Sequence, residues 1–522
     1  MKKNDTIKLD ISDMTKEGLG LAKVLGQVFF VKDGLVGDKV EAIITKVDKN
    51  IVYTKVINIL EKSKYRVGSA CDISNACGGC QLLNLAYKKQ IEIKKSYVLN
   101  CLKKIGNINN IIDNDSDNYK TSVDKDDGFV RYEGIIEMDT LYNYRNKMQV
   151  PFAIKNGNII YGFYAGRTHN IIEFDKCKVG FKGADEILKA IKLSLEKYNI
   201  SVYDEKTHKG IFREVMLRKA NNLSDVSITY IINDEHFNKN IAMYKMFDNN
   251  VIEEFKKNHV KEASIEYEKE NSITNHFECT PVTSTLNINT NSNNVIFGNK
   301  NVVLRGNGYI EDKIRDIKFH VSPESFYQVN SFMTKLLYDT IIDFADFIGE
   351  ENVLDLYCGI GTISLYIAKH VKNVLGIEVV EKAIENAKEN ASLNNITNVN
   401  FLCKDLSSIG SNEQIASNIV ENSKKSANFT SANSEKVVLK NESYDTIIVD
   451  PPRKGLDSKT IAFIENVKPK KIIYVSCDPA TLSRDLKTLC YDDKLYKLER
   501  IKNVDMFPHT MHIETIVKLT KV

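Results

Sequence analysis

The sequence predicts an α/β protein in three parts: a small all-β barrel over 1–60, a mixed α/β middle over 61–320, and a doubly wound parallel sheet over 321–522. Three observations lead there. From about residue 325, short apolar runs alternate with amphipathic stretches, the pattern of strand–helix–strand crossovers. The first sixty residues hold β-rich runs at 27–31, 39–47 and 52–57, separated by turns at Gly18, Gly20, Gly26, Gly34 and Gly37. A chain of 522 residues also has room for about three domains of roughly 150 residues each.

Taken in order, the barrel is followed by cysteines at 71–80 and a lysine-rich helical stretch over 82–105. Residues 107–129 are polar and acidic and read as a loop or insertion. The middle region runs to about 320, with asparagine-rich punctuation at 286–299. Strands of the parallel sheet are expected at 351–357, 373–377, 400–402, 444–449, 471–475 and 515–519. A low-complexity stretch at 408–436 is expected to be a surface insertion without chemistry.

Composition narrows the function. Hydrophobic residues are 43% and charged residues 27%, ordinary for a globular protein. No apolar run reaches the ~18–20 residues of a membrane span, and MKKNDTIKLD lacks a secretory apolar core, so a cytoplasmic chain is expected, with no membrane and no obligate protein partner evident. The net charge is only +3, but residues 1–104 carry 19 basic against 11 acidic side chains and 107–140 carry 3 against 9. A basic front end of this kind can follow phosphates. Ten cysteines in that compartment point to metal, catalysis or burial rather than disulfides.

The first strand of the parallel sheet runs into Cys358-Gly359-Ile360-Gly361-Thr362, a turn that brings backbone close to a ligand at the sheet's carboxyl edge. Nineteen residues after Gly359, the second strand ends at Glu378, placed to accept from both hydroxyls of a ribose. The third leads to Asp405, beside an adenine edge, and the fourth ends in Asp450-Pro451-Pro452-Arg453. The loop lacks the G-x-G-x-x-G of a dinucleotide site, so NAD is disfavoured and S-adenosylmethionine fits better. An exocyclic-amine methylase would place an aromatic residue after the prolines, where Arg453 stands.

The fifth strand ends in Ser476-Cys477-Asp478-Pro479, and Glu514 precedes the last β-run. A thiolate and a carboxylate together suggest methylation at uracil C5. Addition of Cys477 to C6 makes C5 nucleophilic, and Glu514 removes the C5 proton before the cysteine is eliminated. A depressed Cys477 pKa is expected in the RNA complex. A 5-methylcytidine enzyme would show a Pro-Cys motif and a second strand-end cysteine.

Phe326-Tyr327-Gln328-Val329-Asn330, Asp355-Leu356-Tyr357-Cys358-Gly359, Asp450-Pro451-Pro452-Arg453, Ser476-Cys477-Asp478-Pro479 and His512-Ile513-Glu514 resemble, in order, the motifs of the RNA uracil-5-methyltransferase family. The resemblance implies a class I (Rossmann-like) methyltransferase domain over 321–522. It also implies S-adenosylmethionine contacts from Gln328, Tyr357, Glu378 and Asp450, with Cys477 as nucleophile and Glu514 as base.

Cys71, Cys77 and Cys80 form C-x5-C-x2-C; zinc or an iron–sulfur cluster would each want a fourth thiolate, from Cys101 or Cys177. The ribosomal-RNA branch of the family carries the same C-x5-C-G-G-C and a distant cysteine. By that resemblance a [4Fe–4S] cluster is held by Cys71, Cys77, Cys80 and Cys177. Residues 1–60 resemble the TRAM domain, an OB-like RNA-binding barrel, in Gly18-Leu19-Gly20 and Gly34-Leu35-Val36-Gly37-Asp38. Lys23, Phe29, Phe30 and Lys32 are its candidate RNA contacts.

The expected function is therefore S-adenosylmethionine-dependent C5 methylation of a uridine in 23S ribosomal RNA. The alternatives are transfer RNA as substrate, or a non-catalytic RNA-binding or assembly factor.

Overall fold

The computed structural model describes residues 1–113, 128–166, 168–221, 224–269, 279–406 and 443–522. The expected insertion at 408–436 and most of the acidic stretch at 107–129 lie outside these residues. The chain gathers into two compact units: 1–68, 81–139 and 332–522 form one, and 69–80 with 140–331 form the other. Both therefore draw on the stretch expected as one middle domain over 61–320.

In the first unit, six strands (Thr6–Asp10, Asp13–Met14, Gly20–Val24, Gln27–Lys32, Lys39–Val47 and Ile51–Glu61) form one antiparallel-rich sheet wrapped on its own core. Alternate residues point inward, so Leu9, Ala22, Phe29, Val31, Val40, Ala42, Ile44 and Val52 pack together. The same pleat divides the expected RNA face. Phe29 is fully buried in the core, which takes it off that face. Lys23 and Lys32 are exposed, and Phe30 packs edge-to-face on Tyr53 with ring centroids 5.7 Å apart.

The other sheet of this unit has nine strands. In spatial order they are Val399–Cys403, Asn373–Glu378, Asn352–Leu356, Thr446–Val449, Lys471–Ser476, Glu514–Lys521, Tyr496–Val504, Val130–Ile136 and Ile111–Asp113. Only Glu514–Lys521 runs antiparallel to both neighbours. The apolar runs become central strands because both faces are covered, and Leu354, Ile447, Ile472 and Val517 are all fully buried. Three of these strands, Tyr496–Val504, Val130–Ile136 and Ile111–Asp113, have no counterpart among the expected ones. Ile111–Asp113 lies within the expected loop, and it pairs in parallel with Val130–Ile136, which pairs in turn with Tyr496–Val504. A parallel partner nearly four hundred residues away leaves no local signal.

The second unit is built on a seven-stranded sheet in the order Ile171–Glu173, Asn158–Tyr164, Lys147–Lys155, Phe212–Lys219, Asp225–Ile232, Thr280–Ile288 and Lys300–Arg305. Helix Ala184–Lys197 and the first turns of helix Phe237–Lys269 bury Ile187, Leu188, Ile191, Tyr244, Phe247 and Val251 in the same core as that sheet's Val150, Val215 and Tyr230. A hairpin, Ile310–Ile314 with Ile317–Val321, precedes the Phe326–Asn330 motif.

The barrel's exit is held by one carboxylate. Asp38 is buried, accepts from the Leu35 and Ser63 N–H groups at 2.8 and 2.9 Å, and is bridged by Arg66 at 2.7 Å. Asp38→Ala strands two amides and a guanidinium. It should cost about 3 kcal/mol and start unfolding of the full chain at lower denaturant, the transition of a Lys8→Ala control staying in place.

Candidate active site

The expected cofactor edge is assembled by loops after the first, second and fourth parallel strands. Tyr357 follows Asn352–Leu356 in a left-handed conformation (φ +65°), a strained state for a tyrosine. Its N–H donates to the Ile377 carbonyl at 2.9 Å, and its hydroxyl lies 2.9 Å from Thr460 Oγ1. A Cβ added at Gly359 would meet nothing within 4 Å, so the turn presents bare backbone beside open space. Glu378 accepts from the Gly359 N–H at 3.3 Å and from Val379 and Val380 at 2.8 and 3.0 Å, tying the acidic strand end to the glycine turn. Asp405 is exposed beyond the third strand.

A residue the motifs did not single out completes this edge. Asp355, fully buried, accepts from Ser364 Oγ at 2.5 Å through one oxygen, while its other oxygen has no hydrogen-bond partner among the described residues. Burial pushes its carboxyl up to about 7, with Asp450 and Glu378 adding to the rise. Burial also raises Asp450 to about 7. An orphaned buried carboxylate oxygen and an open glycine turn fit a ligand that brings cationic groups, as S-adenosylmethionine does with its ammonium and sulfonium.

The expected nucleophile and base meet at this edge. Ser476 pairs with Thr515 across antiparallel strands, and Cys477 just past the first strand and Glu514 at the start of the second come near enough for the Glu514 charge to act on the thiol. Cys477 leads into helix Pro479–Lys487, capped by Asp478, whose carboxylate accepts from the Ala480 and Thr481 amides. Burial raises the Glu514 carboxyl to about 8, the Asp450 charge pushing the same way and Arg453 opposing it. Burial, then Glu514 and Asp450, push the Cys477 thiol up to about 12, again opposed by Arg453. The RNA-free site thus holds a thiol; the depression expected of Cys477 belonged to the RNA complex. Arg453 lies 3.4 Å from His512 Nε2 and is the cation common to both reactive groups. Its role could have been suspected only from its place after Asp450-Pro451-Pro452.

Gln328 belongs to the second unit. It is buried, and its carbonyl accepts from Asn146 Nδ2 at 2.9 Å. The structure therefore groups Tyr357, Glu378, Asp450, Cys477 and Glu514 on one unit and Gln328 on the other.

The cysteine motif also lies in the second unit. No described cysteine is in a disulfide. Cys77 bridges to Ala165, and the Gly78 backbone comes so close to Gly166 that a Cβ would sit 3.3 Å from its Cα. Burial raises Cys80 to about 12, and the Cys177, Cys77 and Cys71 sulfurs add to the rise while Arg145 opposes it. Cys80 thus lies near enough to the other three sulfurs to feel their charge. Backbone N–H groups point at two of the sulfurs, Gly79 at Cys77 and Val179 with Gly180 at Cys177. Among the described residues no three His, Cys, Asp or Glu side chains are placed to hold a single metal ion. Cys101 lies elsewhere, in helix Tyr87–Lys104 of the first unit, beside Tyr97.

The raised carboxyls predict a pH signature. Asp355 and Asp450 are neutral below about 7 and ionised above it, and a ligand that brings an ammonium and a sulfonium to them favours the ionised form. S-adenosylmethionine affinity should rise about tenfold between pH 6 and 8, with proton release at pH 7. Calorimetry in buffers of different ionisation enthalpy reads both; a flat profile would contradict the assignment.

Comparison with known proteins agrees with this geometry. Residues 290–522 match the family model described as tRNA (Uracil-5-)-methyltransferase, and residues 2–57 match the TRAM domain. A protein of Clostridium tetani named an uncharacterized RNA methyltransferase is 36% identical over 520 residues, covering 100% of this chain and 97% of its own. One of Halalkalibacterium halodurans, similarly named, is 36% identical, covering 99% and 98%. Among solved structures, the tRNA (uracil-54, C5)-methyltransferase of Pyrococcus abyssi, in complex with S-adenosyl-L-homocysteine, aligns over 98% of this chain and 99% of its own. Its TM-score is 0.67 at 24% identity, a likeness of fold. No described helix is long and apolar enough to cross a membrane. With a TRAM barrel, a class I methyltransferase sheet and relatives matched from end to end, the chain belongs to the RNA uracil-5-methyltransferase family and is an S-adenosylmethionine-dependent RNA uracil-C5 methyltransferase.

Proposed function

We propose that the chain methylates C5 of a uridine in 23S ribosomal RNA through a covalent Cys477 adduct resolved by Glu514. The observation that carries the chemistry is the closeness of a thiol just past Lys471–Ser476 to a buried carboxyl at the start of Glu514–Lys521, close enough for the carboxylate to raise the thiol. S-adenosylmethionine supplies an electrophilic methyl group. Cys477 Sγ adds to C6 of the uracil, C5 takes the methyl, Glu514 removes the C5 proton, and the C6–S bond breaks to release thiolate. A base with its pKa near 8 is well matched to that proton at working pH. A thiol held up to about 12 needs help to ionise. Arg453 supplies one positive charge, and a sulfonium entering beside Asp450 would offset the negative field that opposes the thiolate. The target base must leave its stack, since addition and methyl transfer need access to its ring.

The substrate assignment rests on the barrel and the cysteine motif, both features of the ribosomal-RNA branch that the sequence resembles. One observation favours a second reading: the full-length fold neighbour from Pyrococcus abyssi is named for transfer RNA, so overall architecture by itself does not select ribosomal RNA.

Cys71, Cys77, Cys80 and Cys177 would hold a [4Fe–4S] cluster. Cys80 feeling the charge of the other three sulfurs, and N–H groups directed at Cys77 and Cys177, support this, since a cubane takes each thiolate on its own iron. Such a cluster would knit residues 69–80 to the Cys177 loop; the methylation steps do not need it.

Two experiments test these readings. RNA from a strain lacking the gene, incubated with labelled S-adenosylmethionine, should give labelled 5-methyluridine in 23S RNA with the native chain and none with Cys477→Ala. Label confined to transfer RNA would keep the chemistry and overturn the substrate. Protein purified without oxygen should contain about four irons and four labile sulfides per chain, most of it lost in Cys80→Ser; zinc without sulfide would overturn the cluster.

A further inference from the structure

We propose that helix Tyr87–Lys104 is the positioning element of the active site, and that its buried Lys94–Asp505 pair fixes the segment that delivers Glu514. The proposal rests on the reading of Glu514 as the proton-abstracting base. Residues 505–513 connect strand Tyr496–Val504 to Glu514–Lys521 without a ladder of their own, so something else must fix where the second strand begins. The helix does this with side chains. Lys94 and Asp505 are both fully buried and 2.6 Å apart. Lys94 Nζ also donates to the Phe507 carbonyl at 3.1 Å. The Tyr87 hydroxyl donates to the second Asp505 oxygen at 3.0 Å, and Gln90 Oε1 accepts from the His509 N–H at 2.9 Å. Just before the helix, the Leu82 N–H donates to the His509 carbonyl at 2.8 Å. Met511, three residues from Glu514, packs with Leu82, Leu85 and Ile93 and with Met14, Leu35 and Val36 of the barrel.

The same helix reaches the nucleophile's side. Its Val98 and Leu102 share a core with Leu482 and Leu486 of helix Pro479–Lys487, which begins directly after Cys477. One rigid rod therefore braces both the element that follows the thiol and the segment that precedes the carboxyl. A buried ion pair is a poor source of net stability, since apolar residues of similar volume do as well or better. What it supplies is direction: the Lys94 ammonium satisfies Asp505 and the Phe507 carbonyl only in one loop conformation.

The test separates positioning from folding. A Lys94→Met/Asp505→Leu double variant removes both charges, and Tyr87→Phe removes the hydroxyl that donates to Asp505 and accepts from the Met138 N–H at 2.8 Å. In the full chain, the double variant should bind S-adenosylmethionine as the native protein does while kcat falls about 10- to 100-fold. A methylated RNA–protein adduct should accumulate on denaturing gels, because only the elimination step needs Glu514; loss of fold would not trap an adduct. Tyr87→Phe should show the same signature more weakly, and it carries the test if the double variant does not fold. Native kcat without adduct in the folded variants overturns the proposal, as does a fall in kcat without adduct. Glu514→Gln is run beside them: adduct there and none in the variants overturns positioning alone, whereas no adduct in Glu514→Gln overturns the base reading and this proposal with it.

Discussion

The reactive centre depends on the antiparallel pairing of Glu514–Lys521 with Lys471–Ser476, inserted in a sheet whose other pairings outside this strand are parallel. In a parallel sheet the carboxyl edge collects strand C-termini only. Reversing one strand brings an N-terminal residue to that edge. It is this reversal that sets a residue from the start of Glu514–Lys521 against one that follows Lys471–Ser476. The strand is buried on both faces, so a slip of register would break the packing of Ile516, Val517 and Leu519 on either side.

Desolvation then sets the chemistry. Asp355, Asp450 and Glu514 are carboxyls pressed into one low-dielectric edge, and each is pushed toward neutrality. Such an edge is costly without a cation and favourable with one. Arg453 provides a resident charge near the thiol and the Glu514 carboxyl, and the cofactor adds its own. The free site is consequently held in a quiet state, with Cys477 protonated. In the proposed mechanism, reactivity would then follow occupancy of the site by cofactor and RNA.

The chain's path matters as much as its sites. Residues 69–80 belong to one compact unit, while the barrel before them and the helix after them belong to the other. The chain thus leaves the methyltransferase unit to place three cysteines and returns to place Lys94. The barrel is likewise more than an RNA module, since its Met14, Leu35 and Val36 complete the small core that holds Met511.

Much of this was legible in the sequence. Apolar alternation located the central strands, the glycine turn and Glu378 marked the two loops that the structure ties together, and Ser476-Cys477-Asp478-Pro479 with His512-Ile513-Glu514 marked two strand ends that lie near one another. Those features are local: period, turn chemistry and strand ends are written within a few residues of one another. Phe29 and Phe30 could not be told apart, because a shift of one residue decides which faces the core, and only the closed sheet fixes that phase. Tyr496–Val504 and Val130–Ile136 were missed because they pair across hundreds of residues, which imposes no local periodicity, and Ile111–Asp113 because three residues are too few to show a period. Asp355 and Arg453 stand in the motifs without an assigned role, and the Lys94–Asp505 pair reads as ordinary charges along the chain. Their significance comes from burial and from neighbours distant in sequence, and only the tertiary structure decides those, because desolvation is a property of the packed fold and not of the residue.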